Sequence, residues 1–188
     1  MRVLVVPEDF QKDQYILKPI FERLFQSLAK PRTQVRVCQN PRLRGIDQAL
    51  DLDRMLGIVE RYKGMMDIFI LCVDRDGEIG RRHRLDQLEL RCGAATMFLA
   101  ANAWEEIETW VLAGLDLPSE WRWADVRAEV HVKEIYFEPL ADQRGLSNRP
   151  DGGRKSLAQE AARNVNAIRQ KCSEDFDQLA QRLAVISS

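Results

Sequence analysis

Residues 68–77 read IFILCVDRDG. Six apolar residues, Ile68 to Val73, run together and stop at two aspartates with one arginine between them. A short apolar run bounded by turn residues reads as a buried β-strand. The neighbouring segments repeat the theme. VLVV (3–6) is a second buried run, ending at PED. TQVRVCQ (33–39) alternates Val35 and Val37 with polar residues, as a half-exposed strand does. ATMFLAA (95–101) is a fourth short apolar run.

Helical periodicity fills the gaps. DQYILKPIFERLFQSL carries Ile16, Ile20, Phe21, Leu24 and Leu28 on one face, with Pro19 expected to weaken it, kink it or mark its first turn. GIDQALDLDRMLGIVERYK is amphipathic through Ile46, Leu50, Met55, Ile58, Val59 and Tyr62. RHRLDQLELRC (82–92) reads as a short helix, and NAWEEIETWVLAG as one capped by Asn102 and closed by Gly114. The alternation β-α-β-α-β-α-β-α predicts an α/β fold, a mainly parallel, doubly wound sheet with helices on both faces.

The pattern changes after Leu115, so residues 1–115 read as the α/β core and 116–188 as a mostly helical C-terminal extension packed on it. AEVHVKEIYF fits strand by alternation and helix by charge. Residues 140–155, LADQRGLSNRPDGGRK, read as a mobile loop. SLAQEAARNVNAIRQKC is a helix through Leu157, Ala161, Val165, Ile168 and Cys172, and Ser173 is placed to cap a last one carrying Phe176, Leu179 and Leu183.

Composition narrows the class. The chain has 188 residues, 45% hydrophobic and 30% charged, enough to bury roughly two-thirds of its unfolded surface without disulfide or metal. The 28 basic and 29 acidic residues leave a net charge of −1, so no global field draws it to nucleic acid or acidic lipid. Cysteines 38, 72, 92 and 172 have neither metal-ligand nor redox spacing, which fits a reducing cytoplasm. The first apolar run is too short for a signal peptide, and no run reaches membrane-spanning length.

Carboxylates at strand ends carry the chemistry. The carboxyl ends of parallel strands form the ligand edge of an open sheet. Asp74 and Asp76 end one strand and Glu8 ends another. Clustered carboxylates repel, and a hard divalent cation, Mg²⁺ or Mn²⁺, offsets that cost while keeping waters and room for phosphate oxygens. The bland counterparts are a DRDG turn and a Glu8–Asp9 helix cap. Glu105 sits at the capping-box position after Asn102. Glu106 and Glu108, about 200° apart on a regular helix, share one centre only if the first turn is irregular. Trp104, Ile107 and Val111 read as a core stripe. Arg81, Arg82 and Arg84 in GRRHR, with Arg154 in the late loop, are the candidate phosphate-backbone contacts. A late lysine could stabilise transition-state charge.

These features together resemble the TOPRIM fold: an acidic residue after the first strand, D-x-D after a later one, and βαβ units between. VLVVPED followed by Asp13, VDRDG, AWEEIETWVLAG, GGRKSL and CSEDFDQL are similar to small stand-alone bacterial TOPRIM-like proteins related to OLD-type nucleases. The resemblance implies that Glu8 is a metal ligand or general acid/base and that Asp74 and Asp76 are the metal-binding pair. It implies that Glu106 and Glu108 complete a second metal site, and that Lys155, or alternatively Lys133, is the catalytic lysine. Departures are Asp9 where the family has glycine, Pro7 before the glutamate, and no ATPase portion.

The implied activity is Mg²⁺- or Mn²⁺-dependent phosphodiester cleavage of nucleic acid, DNA foremost. A separately encoded ATPase would be the partner, in phage defence or DNA maintenance, and a homo-oligomer is compatible with the reading. Two non-catalytic alternatives stand beside it: a TOPRIM-like partner-binding protein and a receiver-type phosphoacceptor module. A haloacid-dehalogenase-type phosphatase needs its D-x-D on the first strand, whereas here two βα units precede the motif.

Overall fold

The computed structural model describes residues 1–186. Four parallel strands form one sheet, in the order β2-β1-β3-β4: β1 Arg2–Pro7, β2 Gln34–Val37, β3 Ile68–Asp74 and β4 Met97–Ala103. The register pairs Val3 with Val35 and Ile68, and Ile68 with Met97. The α/β expectation holds, with helices on both faces.

Alternation along the strands divides the core in two. Val3, Val5, Ile68, Ile70, Cys72, Leu99 and Ala101 face one layer, formed by α1 (Phe10–Ser27), α5 (Glu108–Ala113), α8 (Arg154–Arg163) and α9 (Val165–Lys171). Leu4, Val6, Phe69, Leu71, Val73, Phe98 and Ala100 face the other, formed by α2 (Ile46–Ala49), α3 (Leu52–Tyr62) and α4 (Arg81–Gly93). β3 is buried on both faces from Ile68 to Val73, which is why its sequence is a continuous apolar run.

α1 runs through Pro19 without ending. Its buried face, Ile16, Leu17, Ile20, Phe21, Leu24 and Phe25, contributes about 1.5–3 kcal/mol per side chain and outweighs the one backbone hydrogen bond that proline forfeits. The helix predicted over residues 45–63 divides at Asp51, whose carboxylate accepts the Arg54 N–H and starts α3.

Residues beyond 115 complete the α1 layer. α6 is Trp123–Ala128, a π-helical turn spans Lys133–Phe137, and α7 is Glu138–Gln143. The ambiguous AEVHVKEIYF stretch therefore ends in helix, not strand. The stretch read as a loop holds the end of α7, then turns closed by Gly145 N–H to Asp142, Arg149 N–H to Leu146 and Gly152 N–H to Arg149. Arg154 and Lys155 open α8 rather than ending a loop. The next predicted helix divides at Asn164, whose side-chain amide donates to Gly114 O at 2.9 Å. Ser173 begins a π-helical turn, Ser173–Asp177, that leads into α10, Gln178–Ala184.

α5 and α8 meet at Gly114, where an added Cβ would lie 2.5 Å from Ala161 O and 2.9 Å from Ala161 Cα. Gly114→Ala should destabilise the protein by about 1–3 kcal/mol through backbone overlap. Gly57→Ala, in open space within α3, should stabilise it by about 1 kcal/mol. Urea melts of the two variants check the contrast.

β4 is an edge strand, and side chains guard it. The Ala100 N–H donates to Glu89 Oε1 at 2.6 Å, and Ala100 O accepts from Arg82 Nη1 at 2.8 Å. Arg182 of α10 holds both Glu89 oxygens, at 2.9 and 2.6 Å. These charged groups occupy backbone positions that another strand would use.

Candidate carboxylate centre

The carboxyl ends of β1, β3 and β4 open on the same edge of the sheet because the strands are parallel. Asp74 is the last residue of β3, and Glu8 directly follows β1. The two meet there: the Asp74 main-chain N–H donates to Glu8 Oε2 at 3.3 Å. Asp9 next door performs the capping role, its Oδ1 accepting the Gln11 N–H at 2.8 Å and leaving Glu8 free to face the sheet edge. Asp13, one helical turn on, is held by the Asp9 N–H at 2.8 Å.

The segment after β4 departs from the regular helix expected of it. Asn102 lies inside β4, and α5 begins only at Glu108. Glu105 takes a positive φ of 62°. Its carboxylate accepts Gly77 N–H at 2.6 Å and Arg75 Nη1 at 2.9 Å, so it bridges to the β3 turn instead of forming a capping box. The Ile107 N–H donates to Asp74 Oδ1 at 2.8 Å. This irregular turn lets Glu106 and Glu108 both be buried. Glu106 accepts the Lys133 N–H, and Lys133 Nζ stands 4.0 Å from its other oxygen. Glu108 Oε1 accepts from Arg154 Nη2 at 3.0 Å, both side chains being buried.

The remaining candidates lie apart. Asp76 falls past the end of β3 with φ 51°, half exposed and 3.2 Å from Arg81. Strand alternation ended at Asp74, so it does not share Asp74's position. Arg81 is buried against that turn, Arg82 is engaged by Asp86 and Glu89, and Arg84 is exposed. Lys155 is exposed on α8, and its neighbour Arg154 points inward. Asp13 is the acid that spacing did not single out as a site residue, although it lies on the same turn of α1 as buried Ile16 and Leu17. Trp104, read as core, is 36% exposed, with Arg75 4.0 Å over its ring.

Electrostatics ties the acids together. Burial pushes the Asp74 carboxyl well above its ordinary range, and Glu108, Asp13 and Glu8 push it further. Asp13 rises for the same reason, with Glu108, Asp9 and Glu8 adding to burial. Burial also raises Glu8, against the pull of the Asp74 N–H. Glu106 is raised to about 7 by burial, despite the Lys133 N–H. Each raised carboxyl binds protons more tightly folded than unfolded, so stability is lost as pH rises through the window between the two values. For Glu106 that window runs from 4.5 to about 7. In EDTA, the urea midpoint should fall steadily from pH 5 to pH 8, and a flat profile would show that the acids do not strain the fold.

All donors are hard oxygens, the chemistry a small divalent cation prefers. Among the described residues, no three His, Cys, Asp or Glu side chains already converge closely enough to hold an ion. No helix among them is long and apolar enough to cross a membrane. Comparison of the chain with protein-family models, with curated proteins and with solved structures finds no match.

Proposed function

We propose that this protein is a TOPRIM-type, Mg²⁺- or Mn²⁺-dependent nuclease acting in a reducing cytoplasm. The supporting observation is Asp74: a partly buried carboxylate at the end of a central strand, pushed up by desolvation and by Glu108, Asp13 and Glu8 around it. Like charges gathered this way cost stability, and a cation is the group that offsets the cost. Glu8, Asp74 and Glu108 would hold the ion, closing on it from their present positions. Bound there, it would polarise a phosphoryl oxygen and lower the pKa of an attacking water.

The chain's own groups divide the other tasks. Glu106, pushed up to about 7 by burial, would accept a proton from water. Lys133 beside it carries positive charge near the developing anion. Arg154 holds Glu108 in place until a cation competes for it. By the same resemblance, the nuclease works beside a separately encoded ATPase, in phage defence or DNA maintenance.

The test is incubation with supercoiled plasmid, linear DNA and RNA in Mn²⁺, Mg²⁺ or EDTA. Cleavage that requires metal supports the reading. Neither cleavage nor a metal-induced rise in melting temperature overturns it.

A further inference from the structure

A groove of about 320 Å³ runs along the outer edge of β4 toward α10. Three guanidiniums line it, from Arg75, Arg82 and Arg182. All are engaged: Arg75 with Glu105 at 2.9 Å, Arg82 with Glu89 at 3.0 Å, and Arg182 with Glu89 at 2.6 Å. Glu78, Glu174 and Asp175 line the groove as well. A phosphate entering it would find no uncommitted arginine there and three like charges. The groove is therefore not built for an anion.

What it offers is a flat surface and hydrogen-bonding groups. The Arg75 guanidinium lies 4.0 Å over the 36%-exposed Trp104 ring; Arg127, outside the groove, lies 5.2 Å from the same ring, so the Arg75–Trp104 layer is where a planar group can stack. Asn102 Oδ1 is buried and has no partner. Ala100 directs its N–H and C=O away from β3, to Glu89 and Arg82. By the alternation of a parallel ladder, Asn102, two residues on, directs its own backbone N–H and C=O outward too. A volume of this size, a stacking layer, a side-chain acceptor and a strand-edge donor and acceptor suit a heterocycle of nucleobase size.

Position supplies the connection. Arg75 immediately follows Asp74, and Trp104 lies two residues before Glu106. We infer that this groove receives one unpaired base of single-stranded nucleic acid, next to the phosphodiester presented to the carboxylates. Duplex is disfavoured because its base faces are stacked and its pairing edges occupied. The inference rests on the nuclease reading and names its substrate class.

The test separates the two. Fluorescence anisotropy in EDTA, where no cleavage occurs, measures binding of labelled mixed-sequence 12-mers: single-stranded DNA, single-stranded RNA and duplex DNA. Wild type should prefer single strands, with a shallow salt dependence because base contacts release few counterions. Trp104→Leu should weaken binding roughly 5- to 100-fold, the loss of one stacked base. Trp104→Phe should recover most of it, and Asn102→Leu should lower affinity independently. Melting curves confirm that the variants fold. Unchanged binding by Trp104→Leu, or tighter binding of duplex, overturns the base groove even if metal-dependent cleavage is found. Single-strand binding that depends on Trp104, without cleavage in Mn²⁺, overturns the nuclease reading and leaves the groove standing.

Discussion

Asp74→Asn should slow metal-dependent cleavage by about three orders of magnitude and at the same time make the metal-free protein more stable. Asparagine has the shape of aspartate and keeps an oxygen to accept the Ile107 N–H, so the turn after β4 is preserved. What disappears is the charge, in a position where burial and three neighbouring carboxylates oppose it. The expected stabilisation is about 0.5–2 kcal/mol in EDTA at pH 8, as found when frustration at functional sites is relieved. It should shrink toward pH 5, where wild-type Asp74 is increasingly protonated and the two side chains become electrically alike. Activity should move the other way, falling about 10³-fold, or about 4 kcal/mol in the barrier, because the ion loses a central ligand. Added Mn²⁺ should raise the melting temperature of wild type and leave that of the variant nearly unchanged. Thermal melts with and without metal, beside a plasmid-cleavage time course, measure all three. A less stable Asp74→Asn protein would show that the carboxylate is structural, and the metal argument would fail with it.

Arg154→Met should be the most damaging single change to stability at the centre, at about 3–5 kcal/mol. The guanidinium and the Glu108 carboxylate are 3.0 Å apart, with side chains 8% and 6% exposed. Methionine matches much of the arginine stem, which packs beside Phe137 with the guanidinium carbon 5.4 Å from that ring. Volume is thus largely kept, and the loss reports the charge. Glu108 would be left buried beside Asp74 and Asp13, each already raised by its presence. The signature is the pH profile: the deficit should be largest at pH 8 and recover toward pH 5 as carboxyls protonate. The double variant Glu108→Leu/Arg154→Met should return to within about 1 kcal/mol of wild type, since an apolar pair often replaces a buried ion pair without cost. Urea denaturation at the two pH values gives the full cycle. A pH-independent loss not rescued by the double variant would assign Arg154 a packing role only.

The arginine also shows where one-dimensional reading stops. Late in the chain, GGRK puts Arg154 and Lys155 side by side, and the sequence offers no reason to prefer either. The family resemblance gives the lysine to catalysis, and the basic character of the segment gives the arginine to phosphate. In the fold, α8 begins at Arg154, and the first turn of a helix sends successive residues to different sides. Arginine points in and lysine points out. The same limit governs the D-x-D motif, because alternation holds only while the strand lasts, and β3 ends at Asp74. It governs Glu106 and Glu108 as well, whose joint burial depends on an irregular turn set by contacts from Asp74, Arg75 and Gly77. None of those contacts is local in sequence.

The sequence by itself determined the sheet and much of what covers it. Buried parallel strands must be apolar on both faces, and amphipathic helices must repeat near every third or fourth residue, so β1, β3, α1 and α3 are legible as pattern. It also placed Glu8 and Asp74 at strand ends, since a polar residue closes an apolar run where the strand leaves the core. Only the tertiary structure decided which acids face one another, that Asp13 joins them, that Arg154 counters Glu108, and that Trp104 borders an open groove. Those outcomes depend on side-chain direction past the ends of regular elements and on segments tens of residues apart. Periodicity carries no information about either.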